Sequence, residues 1–90
     1  PEVNVTVELG KSNQFVVKLS GKTTGTTQVA AVGGKLDFEK LTQTLAGTKA
    51  RFPNVSAVTL TADNSTEYKD VVKTMEVVRK SMPVVMLGGF

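Results

Sequence analysis

The residues able to do chemistry in this chain are few, and carboxylates lead them. Asp63, Glu67, Asp70 and Glu76 crowd into one stretch. Paired carboxylates can act as general acid and base, and a cluster of them can hold a hard cation. Neither arrangement fits this spacing. Glu67 and Asp70 stand three apart on what the periodicity makes an exposed helix face, where a solvated carboxylate is a poor acid–base catalyst. The four carboxylates spread over opposite sides of that helix, so no metal site is expected. The chain has no histidine and no cysteine. The common nucleophile–base dyads therefore cannot be built, and we expect no catalytic residues, no bound cofactor and no enzyme.

Gly21-Lys22-Thr23 has the ending of a phosphate loop. That motif also needs a glycine five positions earlier, where Val16 stands, and a helix starting at the lysine. The segment around it, Ser20 to Gln28, is polar and glycine-punctuated and reads as a mobile loop. Asn4, Asn54 and Asn64 each begin an Asn-X-Ser/Thr pattern, which a Thr-rich chain produces by chance. Asp63 has two readings. It can accept N–H groups of the coming helix as a structural residue, or present charge to a partner at the strand's end. Tyr68 reads as a core aromatic with its hydroxyl at the rim.

These residues need a scaffold, and ninety residues supply one domain, residues 1–90. A chain of this size buries roughly 60–65% of its unfolded surface, enough for one modest core. Eleven Lys and Arg stand against eight Asp and Glu, a net charge of +3, and the basic residues are scattered. With five aromatics in all, a nucleic-acid surface is not indicated. No apolar run approaches the roughly twenty residues of a membrane span. The chain opens on Pro1 rather than Met, so we expect a fragment or a processed product.

Along the chain, Val3, Val5, Val7 and Leu9 alternate with Glu2, Asn4, Thr6 and Glu8, the pattern of a half-buried strand. Gly10 to Asn13 is a turn cluster, and Phe15, Val17 and Leu19 repeat the alternation, so the two runs form an antiparallel hairpin. Val29 to Val32 reads as a short third strand ended by Gly33-Gly34. Asp37 is the N-cap of a helix reaching about Ala50, with Leu36, Leu41, Leu45 and Phe52 on its apolar side. Phe52-Pro53-Asn54 breaks it. Val58 and Leu60 mark a fourth strand. Tyr68, Val71, Val72, Met75, Val78 and Met82 make the apolar stripe of a second helix. Asn64, Ser65 or Thr66 supplies its cap. Val84 to Leu87 is the last strand. The predicted fold is a two-layer α+β sandwich, β-β-β-α-β-α-β, with a mixed sheet and both helices on one face.

The strand ending in Ala62-Asp63, the tyrosine at Tyr68, the run Asp70-Val-Val-Lys-Thr-Met-Glu76 and the short apolar strand after the helix resemble the periplasmic domain of the ExbD/TolR family of biopolymer transport proteins. The fit covers about the last forty residues and, less closely, Leu36 to Leu45. The chain departs from the family pattern at Glu67, Glu76 and Ser81-Met82-Pro83. The resemblance implies a place on the periplasmic side of the bacterial inner membrane, in a motor driven by the proton-motive force. It implies an ExbB/TolQ-type channel subunit and a TonB/TolA-type protein as partners, and a homodimer. It also implies an N-terminal membrane helix, outside these residues, that carries the acidic residue of the proton path. Asp63 and Tyr68 are the family-motif residues.

Val84-Val85-Met86-Leu87 is apolar on both faces, whereas the other strands are half polar. Such a strand either lies in a covered core or has a partner over its outer face. A one-residue register shift exchanges the two alternating sets, so the sequence leaves open which set points outward. We expect these four residues to form the partner or dimer interface, acting by strand addition. The alternative, independent of the resemblance, is an unrelated small α+β protein-binding or regulatory domain.

Overall fold

The structure, a computed structural model, describes residues 3–88. Its elements are β1 (Val3–Gly10), β2 (Gln14–Gly21), β3 (Gly25–Val29), α1 (Phe38–Arg51), β4 (Ala57–Ala62), α2 (Tyr68–Arg79) and β5 (Val84–Leu87). They stand in the order read from the sequence. The five strands form one mixed sheet, β3-β2-β1-β4-β5. On one side of β1 the pairing is antiparallel, through the hairpin to β2 and on to β3. On the other side β1, β4 and β5 run parallel. Parallel neighbours need a crossover, and α2 provides it between β4 and β5.

Alternation in β1 sets the inner face. Val3, Val5, Val7 and Leu9 are buried, and through the register they share that face with Phe15, Val17, Val58 and Leu60. Leu41 and Leu45 from α1 and Val71, Val77 and Val78 from α2 close the same core, so both helices cover one face. The opposite face carries Thr6, Thr59 and Thr61 and is bridged by the Lys18–Glu8 ion pair at 2.7 Å.

Turn chemistry fits the loops. Gly33 and Gly34 both have positive φ, 57° and 74°. They form the centre of a tight turn closed by two hydrogen bonds between Val32 and Lys35, at 2.9 and 3.0 Å. Glycine adopts two successive positive φ values without the steric cost of a Cβ, a cost that Ser12 and Asn13, at 62° and 57°, bear in the β1–β2 turn. Asn13 reaches across from the β1–β2 turn and donates to the Gly34 carbonyl at 2.7 Å.

In α1, Asp37 accepts from the Lys40 N–H at 3.0 Å, as its predicted cap role requires. The threonines that weaken this helix bond their hydroxyls back to carbonyls one turn earlier. Thr42, Thr44 and Thr48 do so to Phe38, Lys40 and Thr44.

The structure corrects the sequence reading in four places. Ser20 to Gln28 is not a loop. Ser20 and Gly21 end β2, and Gly25 to Gln28 lie in β3, which stops at Val29 rather than starting there. Backbone pairing to β2, from Phe15↔Val29 to Leu19↔Gly25, holds this strand even though only Val29 of it is buried. A polar strand of β-branched residues is admissible at an edge that no helix covers.

The second correction is the phase of α2. Val71 and Val78 are buried as expected, with Met82 just beyond the helix, but Thr74 and Val77 are buried too and Met75 only partly. The core tolerates Thr74 because its hydroxyl donates to the Asp70 carbonyl at 2.7 Å, which leaves no unpaired polar atom.

Tyr68 is the third. It is 78% exposed, not core. It satisfies the stripe spacing, but it sits in the first turn of α2, and a helical side chain covers ground toward the helix N-terminus. There the sheet has already ended. The cap of α2 differs as well. Glu67 occupies the position without a side-chain bond, and Asn64, Ser65 and Thr66 lie outside it.

Candidate functional site

β5 is the outermost strand beyond β4, and its other edge has no strand partner among the described residues. Its register is Ala57↔Val84, Val58↔Val85, Thr59↔Met86 and Leu60↔Leu87. Val58 and Leu60 are core residues, so Val85 and Leu87 belong to the helix-covered face. Val84 and Met86 belong to the open face. The tertiary register thus answers the question that the four-residue run left open.

Burial along β5 follows from this only in part. Val85 packs against the core, while Val84 and Met86 are about half exposed, as an uncovered face requires. Leu87 faces inward yet is 52% exposed. The reason lies beside it: a hollow lined by Ala62, Asp63, Asn64, Thr66, Tyr68, Val71 and Leu87 at the ends of β4 and β5. Among the described residues, Val84, Met86, Leu87 and Tyr68 are four of the five large apolar side chains left exposed; the fifth, Val32, lies in the β3–α1 connection. Three of them lie along β5, on both of its faces, and Tyr68 stands beside its end.

Asp63 closes the hollow on the polar side. Its N–H donates to the Leu9 carbonyl at 3.0 Å, continuing the β1–β4 ladder, and its own carbonyl accepts from Thr66 at 2.9 Å. Its carboxylate accepts from the Ser65 hydroxyl and from the Ser65 N–H at 3.0 Å. The donors therefore come from the turn ahead of α2, not from the helix. The Ser65 hydroxyl, then the Ser65 N–H, and more weakly the charge of Lys11 hold this carboxyl below its ordinary value. The two sequence readings of Asp63 are compatible: the turn that it organises also keeps its charge at the hollow.

The other carboxylates do not converge. Glu67 pairs with Lys69 at 3.7 Å with both side chains well exposed, and no three acidic side chains among the described residues stand close enough to hold a metal ion. Gly21-Lys22-Thr23 leads from β2 into β3, so no helix begins at the lysine and the phosphate-loop geometry is not formed. The hollow beside Tyr68 was not legible in the sequence. Its one signal is the tyrosine at the very start of α2, where the stripe runs past the end of the sheet.

The chain thus has the architecture of a small two-layer α+β domain. The sequence pattern of the biopolymer transport protein ExbD/TolR family matches residues 1–85, and the chain belongs to that family. The family is transport-associated and non-enzymatic, with a role in energy transduction at membranes. No helix among the described residues is long and apolar enough to cross a membrane. No curated protein matches the chain. Among solved structures it is similar to a protein of Bacteroides thetaiotaomicron VPI-5482 described as having an actin-like ATPase fold and unknown function, with a TM-score of 0.60 and 8% identity. The likeness covers 97% of this chain but 32% of that one, and it shows the fold alone.

Proposed function

We propose that this chain is the periplasmic domain of an inner-membrane complex that transduces the proton-motive force. In this reading the domain has no catalytic activity. It is tethered by a membrane helix N-terminal to these residues and stands beside an ExbB/TolQ-type channel subunit. It acts by forming a homodimer and by adding a strand of a TonB/TolA-type protein at β5. The open, apolar edge of β5 is the observation that carries the reading. A free strand edge offers unpaired backbone groups to an extended segment, and alternate side chains then select the sequence. Family membership supports the transport setting.

The test follows from the face assignment. Met86→Lys places a charge on the open face and should leave the fold intact while weakening self-association in sedimentation, or binding of a peptide from a TonB/TolA-type protein. Val85→Lys places the charge over Val58 and should unfold the domain. If Met86→Lys folds and associates like the parent chain, β5 is not the interface.

A further inference from the structure

The hollow beside β5 has a composition more selective than an open strand edge needs. Ala62, Val71 and Leu87 give it apolar walls, and the ring of Tyr68 stands exposed at its rim. Among its lining residues there is one charge, the carboxylate of Asp63. Glu67 and Asp70 stand on the hairpin side of the same turn, against Lys11 and Lys69, so carboxylates outnumber ammonium groups around it. An acidic segment would meet the Asp63 carboxylate there. A cation would meet the Asp63 carboxylate and the face of an exposed aromatic ring, both attractive.

We propose that this hollow is the side-chain pocket of the β5 edge, and that it selects an extended partner segment carrying an aliphatic side chain with a lysine or arginine two positions away. The spacing comes from strand geometry. Residues two apart in an added strand point to the same face. One of them can cover Leu87, which faces the helix side yet is half exposed, while the next on that face reaches the rim held by Asp63. The inference rests on the reading of β5 as a strand-adding edge and adds the chemistry of what is added.

The experiment uses two capped heptapeptides, Thr-Lys-Thr-Leu-Thr-Lys-Thr and its counterpart with glutamate for lysine, titrated into the isotope-labelled chain. Lysine on both sides of the leucine serves either strand direction. The lysine peptide should shift the amides of residues 62–68 and 84–88 and bind at least about tenfold more tightly than the glutamate peptide. Asp63→Asn should shrink that preference to about twofold or less, and Leu87→Ser should weaken both peptides. Equal affinities in the parent chain, a preference untouched by Asp63→Asn, or no binding by either peptide would each overturn the proposal. If both peptides bind equally at 84–88 and N-methylation of alternate residues abolishes binding, the edge reading stands and only the pocket chemistry falls. If N-methylation changes nothing, the edge reading falls and takes the pocket with it. A dimer that Leu87→Ser dissociates and the lysine peptide does not compete with would assign the hollow to a second copy. That result overturns the proposal.

Discussion

The two edges of the sheet, β3 and β5, solve the same problem in opposite ways. Each is a short outermost strand with one side of its backbone unpaired among the described residues. β3 presents Thr26, Thr27 and Gln28, all exposed, and buries only Val29. β5 presents Val84, Met86 and Leu87. Proteins blunt a free edge with polar side chains and short length because an apolar edge recruits other strands. β3 follows that rule and β5 breaks it, although both belong to one sheet and face the same solvent. The difference is informative because a mere shortage of apolar cover would leave both edges alike. On the proposed reading, the polar edge is the one that avoids pairing and the apolar edge is the one that accepts it.

The largest test of this contrast is on the inner face. Val85→Lys should destabilise the domain by roughly 3 kcal/mol or more, enough to unfold most of it, since the charge would stand over a closed core. Thr27→Lys, also on the inner face but opposite Val17 at an edge without helix cover, should stay within about 0.5 kcal/mol of the parent. Urea melts of the two variants decide it. Equal losses would mean that β3 is as tightly covered as β5.

The next effect is on association. Met86→Lys should weaken self-association by about tenfold or more, and Thr26→Lys, on the open face of the other edge, should leave it unchanged. Sedimentation at several concentrations reads both. Reversing the contrast is the third test. Thr26→Val combined with Gln28→Val gives β3 an apolar open face and should raise self-association about severalfold. No change would show that the apolar character of an edge is not what recruits a partner here.

The smallest effect is in pH. The turn at the end of β4 holds a carboxylate below its ordinary value, while Lys22 to Thr24, the turn into β3, contains none. Because the folded value is depressed, the stabilisation from Asp63 is present above the ordinary 3.8 and is lost as pH falls through the lower folded value. The urea midpoint of the parent should therefore exceed that of Asp63→Asn by a constant small margin above about pH 5, and the margin should close in more acidic solution. A margin that widens on acidification would contradict the depressed carboxyl.

Much of the architecture was legible in the sequence because it rests on local signals. Val3 to Leu9 and Phe15 to Leu19 alternate, Gly33-Gly34 marks a turn, and Asp37 is a helix cap whatever packs on the helix later. The order β4-α2-β5 follows from period and length, and the residues that suggested the family lie mostly within this stretch, while the family match covers residues 1–85. Other features depended on what lies across space. β3 is held by backbone bonds to β2, which no side-chain period records. Thr74 is buried by what packs on its side of α2, its hydroxyl being satisfied within the helix by the Asp70 carbonyl, and Tyr68 is exposed because the sheet stops short beneath it. Val85 points inward and Met86 outward only by virtue of their register with Val58 and Thr59. Periodicity states which residues share a face; it does not state what that face meets, and only the pairing of distant segments decides that.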